Sequence, residues 1–394
     1  MQSTELERII ADADRCVKCA VCLPYCPTYG LSGSEAESPR GRVALMRAWA
    51  DGSQPLNPGL ERHLDQCLAC RNCEPVCPAQ VPYGRLLDNA RAAMADHRRR
   101  PWTRWLGNAL VRRRLLLRAT ARLAGFARAV GLARLIPPLR RLHRPVRPWA
   151  WRDAEPDGAP RGTVGLFIGC VADVLDAETH AAATRLLAAA GYRVRVPAAQ
   201  TCCGALHQHS GDALGARELR EANRRAFDGL DHVLSTATGC GAQLEEHVLP
   251  DRRHEDACSF LSRTGGLDAL EFRPLQATVA VHLPCTRRNV LGDTESPHEL
   301  LSLVPGLRLL AAPETPRCCG AAGSYVLEHP AIADALGDEL ASKIAAEPPD
   351  YLATTNIGCA LHLADQLARL GAPTRVLHPL ALLARQLPAG DAIR

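Results

Sequence analysis

Sixteen of the chain's seventeen cysteines fall into two spaced patterns, and those patterns define the chemistry it could perform. CVKCAVCLPYCPTYG places Cys16, Cys19, Cys22 and Cys26 close together, and HLDQCLACRNCEPVCPAQVPYG repeats the spacing with Cys67, Cys70, Cys73 and Cys77. A proline, Pro27 or Pro78, follows each set. In C-x2-C-x2-C-x3-C-P, three close thiolates each hold an iron corner of a cubane [4Fe–4S] cluster, and when the pattern is doubled the fourth cysteine crosses to the other cluster. Cys16, Cys19, Cys22 and Cys77 are therefore expected at one cubane, and Cys67, Cys70, Cys73 and Cys26 at the other. Structural zinc is the competing reading, but its four ligands usually come as two separated pairs.

The second pattern is looser. Cys170, Cys240, Cys285 and Cys359 each follow a β-branched run, in FIGC, TGCG, HLPC and NIGC, while TCCGALHQH and RCCGAAGSY supply Cys202, Cys203, Cys318 and Cys319. Ligands of open α/β sheets bind at the carboxyl ends of strands. The glycine after each adjacent pair lets the backbone approach closely. Each repeat thus offers four cysteines converging on one crevice, enough for a further cubane; the bland alternative is packing thiols with no metal. His207, His209 and His282 lie near the same loops and are candidates for hydrogen bonds to a cluster. His362 stands one helical turn beyond Cys359, where it is either a ligand or, as is commoner for a lone histidine, simply hydrogen-bonded. Cys258 belongs to neither pattern and reads as core.

The elements that must position these residues divide the chain unevenly. RGRVALMRAWADG and LNPGLERHLDQ read as helices between the first two cysteine sets. From residue 162 onward TVGLFIG, YRVRVP, HVLSTAT, TVAVHL and YLATTN read as strands alternating with helical stretches, the pattern of parallel α/β units. The expected fold is α+β overall: a helical dicluster ferredoxin-like module at 1–97, an arginine-rich connector at 98–160, and repeated CCG domains at 161–270 and 271–394. Between residues 97 and 152 there are sixteen arginines and no acidic residue, although the whole chain is only +5. Arg114, Arg118 and Arg122 would line one side of a helix there, with Leu116, Leu123, Ala127 and Val130 on the other. That segment suits an anionic membrane surface, an acidic protein partner, or a solvated face.

Other function classes are excluded. Aromatics at 4% leave little material for stacking on single-stranded nucleic acid, and no recognition motif is present, so nucleic acid is not an expected partner. No GxGxxG opens a helix after a strand and no P-loop occurs, so the chain is not expected to oxidise an organic substrate alone. MQSTELERIIADADRC lacks the pattern of a signal peptide, and no run of about 18 apolar residues appears, so the chain is expected in the cytoplasm, where thiols stay reduced.

CVKCAVCLPYCPTY, ESPRGRVALMR, HLDQCLACRNCEPVCPAQVPYG, TGCGAQLEEH, CCGAAGSYVLEHPAIA and NIGCALHL together resemble the iron–sulfur subunits of flavin-linked 2-hydroxy-acid oxidoreductases, and within them the glycolate oxidase iron–sulfur subunits. The resemblance spans nearly the whole chain, with the arginine-rich connector its least distinctive part. It implies a subunit that accepts electrons from a flavin-binding partner and relays them to a membrane quinone or another acceptor. Lactate or glycerol-3-phosphate subunits share the cysteine architecture. In the more distant heterodisulfide reductase relatives each CCG domain ends in C-x-x-C and five cysteines hold a non-cubane cluster. Here Gln243 and His362 stand where that last cysteine would be, which counts against such a cluster and against disulfide chemistry.

Overall fold

The computed structural model describes residues 2–95, 102–130, 152–249, 253–311 and 318–388. Most of the proline-rich end of the connector lies outside them.

The N-terminal module is built from α1 (Gln2–Asp14), the short α2 (Pro27–Ser32), α3 (Pro39–Ala50), α4 (Pro58–Asp65) and α5 (Tyr83–Ala95). Proline sits in the first turn of α2, α3 and α4, where its missing N–H costs nothing. The Ser38 hydroxyl caps α3 by accepting from Gly41 N, and Asn57 caps α4 by accepting from Gly59 N and Leu60 N. Ile9, Met46, Leu64, Leu86, Leu87 and Met94 are fully buried between these helices and enclose Cys67 and Cys73.

Two four-stranded parallel sheets follow. The first has β1 (Gly162–Phe167), β2 (Tyr192–Arg195), β3 (His232–Ser235) and β4 (His254–Asp256) in the order β2-β1-β3-β4; the second has β5 (Ala277–His282), β6 (Leu307–Ala311), β7 (Tyr351–Thr354) and β8 (Arg375–Leu377) in the order β6-β5-β7-β8. The duplication expected from the cysteines is thus a duplication of topology. All five strands read from the sequence form, and β4, β6 and β8 are additional. In each sheet the strand order reverses beside the first strand, the topological switch point where α/β sheets bind ligands.

The repeats share one apolar core. The C-terminal helix Pro379–Ala384 buries Leu380 and Leu383 with Leu186 and Leu187 of the first repeat's helix Ala177–Ala189. Arg287 of the second repeat is fully buried and donates from Nη1 to Asp256 of the first (2.9 Å) and from Nη2 to Asp293 (2.6 Å).

Two connector helices, α6 (Trp102–Arg112) and α7 (Arg114–Ala129), lie on the first repeat. Arg114 and Arg118 turn inward to the fully buried Asp173, the latter with Nη2 2.7 Å from Oδ1. Periodicity alone suggested an amphipathic helix; the structure shows Arg114 and Arg118 packed against the protein, with Arg122 and much of the leucine stripe in solvent.

Candidate metal centres

Cys26, Cys67, Cys70 and Cys73 line one small cavity together with Arg42 and Tyr83. The loops that bring them there carry a repeated backbone signature. Lys18 (φ +58°) and Ala20 (φ +71°) flank Cys19, and Ala69 (φ +51°) and Arg71 (φ +59°) flank Cys70 at equivalent positions. Left-handed conformation is uncommon outside glycine and costs about 1–2 kcal/mol per residue. Its recurrence in both sets marks a shared loop geometry, and left-handed residues of this kind build the N–H nests that hold anions and iron–sulfur clusters.

The surroundings of this cavity suit a negatively charged group. Burial pushes the Cys70 and Cys73 thiols well above their ordinary range, so a cation must displace their protons. The Tyr83 hydroxyl donates toward Cys67 Sγ at 3.5 Å, and Thr28 Oγ1 lies 3.3 Å from Cys26 Sγ. Arg42 is 1% exposed and pairs with Glu37, while its Nε donates to the His63 carbonyl (2.7 Å). Burial lowers the guanidinium's pKa, but Cys67, Tyr83, Cys26 and Glu37 outweigh it and hold the charge in place. In the other set Cys16, Cys22 and Cys77 pack at the edge of the same core and Cys19 is exposed.

In the first repeat Cys170 follows β1, the Cys202–Cys203 pair follows β2, and Cys240 lies in the helix Thr238–Gln243 after β3. Cys170 Sγ is 3.4 Å from Cys202 Sγ, and Cys203 hydrogen-bonds with both Cys202 and Cys240. The four thiols form a chain across the switch point. Asn223 fixes the paired-cysteine loop by donating to the Cys202 carbonyl (2.9 Å) and accepting from Thr201 N (2.8 Å). Gln200 joins that loop to β1, donating to the Leu166 carbonyl (3.1 Å) and accepting from Ile168 N (2.7 Å). The Cys202 hydrogen bond and burial together push the Cys170 thiol up.

The second repeat repeats this layout. Cys285 Sγ is 3.9 Å from Cys318 Sγ, and Cys319 Sγ is 2.9 Å from Cys359 Sγ. Gly320 after the pair is left-handed (φ +89°), and a Cβ there would come within 2.4 Å of the Ala333 carbonyl oxygen, so only glycine fits. The donor set of each repeat, four converging sulfurs at a switch point, fits one four-ligand iron–sulfur group.

The histidines have other tasks. His362 Nε2 lies 3.0 Å from the Ala333 carbonyl oxygen and is held as a packing bond. His282 Nδ1 is 2.9 Å from Thr354 Oγ1, and burial, with Arg288 nearby, lowers its pKa to about 4. His209 pairs with Asp88 of α5 (3.1 Å), and His207 is buried with Nδ1 2.8 Å from Asp212. Cys258 is fully buried, as expected of a core thiol. Tyr83, Arg42, Asn223, Gln200 and Asp173 are the supporting residues that cysteine spacing does not reveal.

The N-terminal module and the second repeat meet at their sulfurs. Leu68 and Cys70 pack in one cluster with Cys318, Cys319 and Cys359, and the Cys70 thiol is raised further by Cys285. Asn289 Nδ2 donates to the Cys70 carbonyl (2.7 Å), and the Tyr325 hydroxyl donates to the Gln66 carbonyl (2.9 Å).

A family model described as a 4Fe-4S dicluster domain matches residues 12–81, and one described as a cysteine-rich domain matches twice, at 164–245 and 279–364. The chain is therefore an iron–sulfur protein that joins a [4Fe–4S] dicluster module to duplicated cysteine-rich domains. It is 32% identical to the protein named "Probable glycolate oxidase iron-sulfur subunit" of Bacillus subtilis, across 93% of this chain and 92% of the relative. It is 33% identical to the glycolate oxidase iron-sulfur subunit of Escherichia coli across 89% of each chain. Lactate utilization protein A of Geobacillus kaustophilus is 32% identical over 55% of this chain and 95% of the relative. The chain belongs to the family of glycolate oxidase iron–sulfur subunits.

Proposed function

We propose that this chain is the electron-carrying subunit of a flavin-dependent 2-hydroxy-acid dehydrogenase, with glycolate as substrate, passing electrons from a flavin-binding subunit to a quinone or other acceptor. In this reading Cys16, Cys19, Cys22 and Cys77 hold one cubane and Cys67, Cys70, Cys73 and Cys26 the other; Cys170, Cys202, Cys203 and Cys240, and Cys285, Cys318, Cys319 and Cys359, are the ligand sets of the repeats. The observation that supports it is the packing of Cys70 in one cluster with the second repeat's cysteines, which puts thiols of the two regions beside each other.

Each cubane supplies a one-electron site whose potential depends on its charge, its exposure and the hydrogen bonds to its sulfurs. The chain's own residues set those terms. Arg42 offsets negative charge beside Cys26 and Cys67, Tyr83 donates toward Cys67 Sγ, and Leu68 helps keep water from the boundary with the second repeat.

The test is anaerobic reconstitution with the flavin subunit, followed by addition of glycolate, L-lactate or glycerol 3-phosphate and paramagnetic resonance of the iron–sulfur signals. Reduction by glycolate at a rate matching turnover supports the reading. Reduction by lactate alone would transfer the assignment to lactate oxidation, which the relationship to lactate utilization protein A favours as the second reading. Clusters that dithionite reduces but none of the three substrates does would overturn it.

A further inference from the structure

We propose that α6 and α7 form a docking surface for an anionic lipid bilayer, with α7 lying flat on the headgroups. The case begins with orientation. Arg114 and Arg118 spend their charge inside the protein on Asp173, and Arg114 Nη1 also donates to the Gln200 carbonyl (2.9 Å) beside the first thiol site. That anchoring fixes the opposite face outward. Leu115 is 84% exposed, Leu123 68% and Phe126 66%, with Leu116 and Val130 also exposed, and Leu106 of α6 is exposed as well. At about 100° per residue these α7 positions fall in one arc about 100° wide. Nothing in the fold gains from leaving such a stripe in water, since ordinary packing would turn it inward.

The charge around the stripe selects the occupant. Arg113 and Arg122 are exposed beside it, and the surrounding sequence, residues 97 to 152, has sixteen arginines without one acidic residue. A protein surface carries both signs, so complementarity to it draws acidic as well as basic groups. Exposed positive charge flanking an apolar stripe complements a negatively charged plane. An apolar stripe flanked by arginine on a helix about 24 Å long is the pattern of a helix that lies in the membrane interface. Among the described residues no helix is long and apolar enough to cross a bilayer, so the contact is peripheral. This inference concerns the surface alone and stands whether or not glycolate is the substrate.

The experiment is flotation of the purified, iron-loaded full-length protein with vesicles of phosphatidylglycerol and phosphatidylethanolamine, or of phosphatidylcholine alone, at near-physiological salt. Binding to the anionic vesicles at least tenfold tighter than to the neutral ones is expected. The double substitution Leu115→Glu with Phe126→Glu should weaken binding at least tenfold while iron content and visible absorbance stay unchanged. Arg113→Ala with Arg122→Ala should weaken it less and flatten its salt dependence. Absence of flotation, equal binding to both lipids, or wild-type binding by the leucine–phenylalanine variant would overturn the proposal. Amide exchange on α7 slowed by the flavin subunit but not by vesicles would overturn it in favour of a protein partner.

Discussion

The two cysteine-rich repeats share a topology, a strand order and a set of four thiols, yet they face different neighbours. The second repeat's thiols abut Cys70 of the dicluster module, whereas the first repeat's thiols lie under Val111 and Leu117 of the connector helices. They also differ three residues beyond the last cysteine. Gln243 is buried with an amide nitrogen that has no partner among the described residues, while His362 is committed to the Ala333 carbonyl. Duplication supplied two equivalent crevices, and packing gave them unequal access to the dicluster module.

That inequality can be broken experimentally, and the largest effect should come at the boundary. Cys70→Ala is expected to remove about four irons per chain and to lower substrate-driven acceptor reduction at least a hundredfold, measured by iron analysis and turnover of the reconstituted complex. Cys285→Ser should slow electron exit about tenfold, and Cys170→Ser should leave reduction of the N-terminal clusters intact. Equal losses from the two serine variants would mean that the repeats are not functionally distinct.

The position three residues beyond the last cysteine offers a second contrast. His362→Cys should destabilise the protein by about 1–3 kcal/mol in urea unfolding, because it removes the buried His362–Ala333 hydrogen bond and the imidazole packed against Gly337. Gln243→Cys loses no such bond and removes a buried amide nitrogen without a partner among the described residues, so it is expected to cost less than about 1 kcal/mol. Similar costs at both sites would erase the distinction.

Two smaller effects sharpen the picture. Tyr83→Phe removes a hydrogen bond to Cys67 Sγ that favours the more negative reduced state, so a redox titration should show one N-terminal signal shifted down by about 40 mV. At Asp293, burial raises the carboxyl's pKa, but hydrogen bonds from Ser259 and Ser296 and the Arg287 charge prevail and lower it to about 2. A depressed carboxylate stabilises the fold above its unfolded pKa and loses that contribution as pH falls toward 2. Asp293→Asn should flatten unfolding stability between about pH 4 and pH 2, with little change in the first repeat's thiols.

Much of this was legible in the sequence because cysteine spacing and β-branched runs are local signals. The paired motifs and strands β1, β2, β3, β5 and β7 all announced themselves that way. β4 and β8 are three residues each, too short for alternation to register, and the leucines of β6 suit a helix as well as a strand. Periodicity identified the stripe on α7 but not which face turned inward, since that depends on Asp173, 55 residues from Arg118. Tyr83, Arg42, Asn223 and Gln200 likewise act on groups that only the folded chain brings near.

The shared core of the repeats also sets an order of events during synthesis. The helix Ala177–Ala189 leaves the ribosome about 190 residues before Pro379–Ala384, the segment that completes its packing. At about 5–20 residues per second that is a wait of roughly 10–40 s. For that interval the nascent first repeat keeps uncovered the apolar face that Leu380 and Leu383 later close, a window in which a chaperone can hold it.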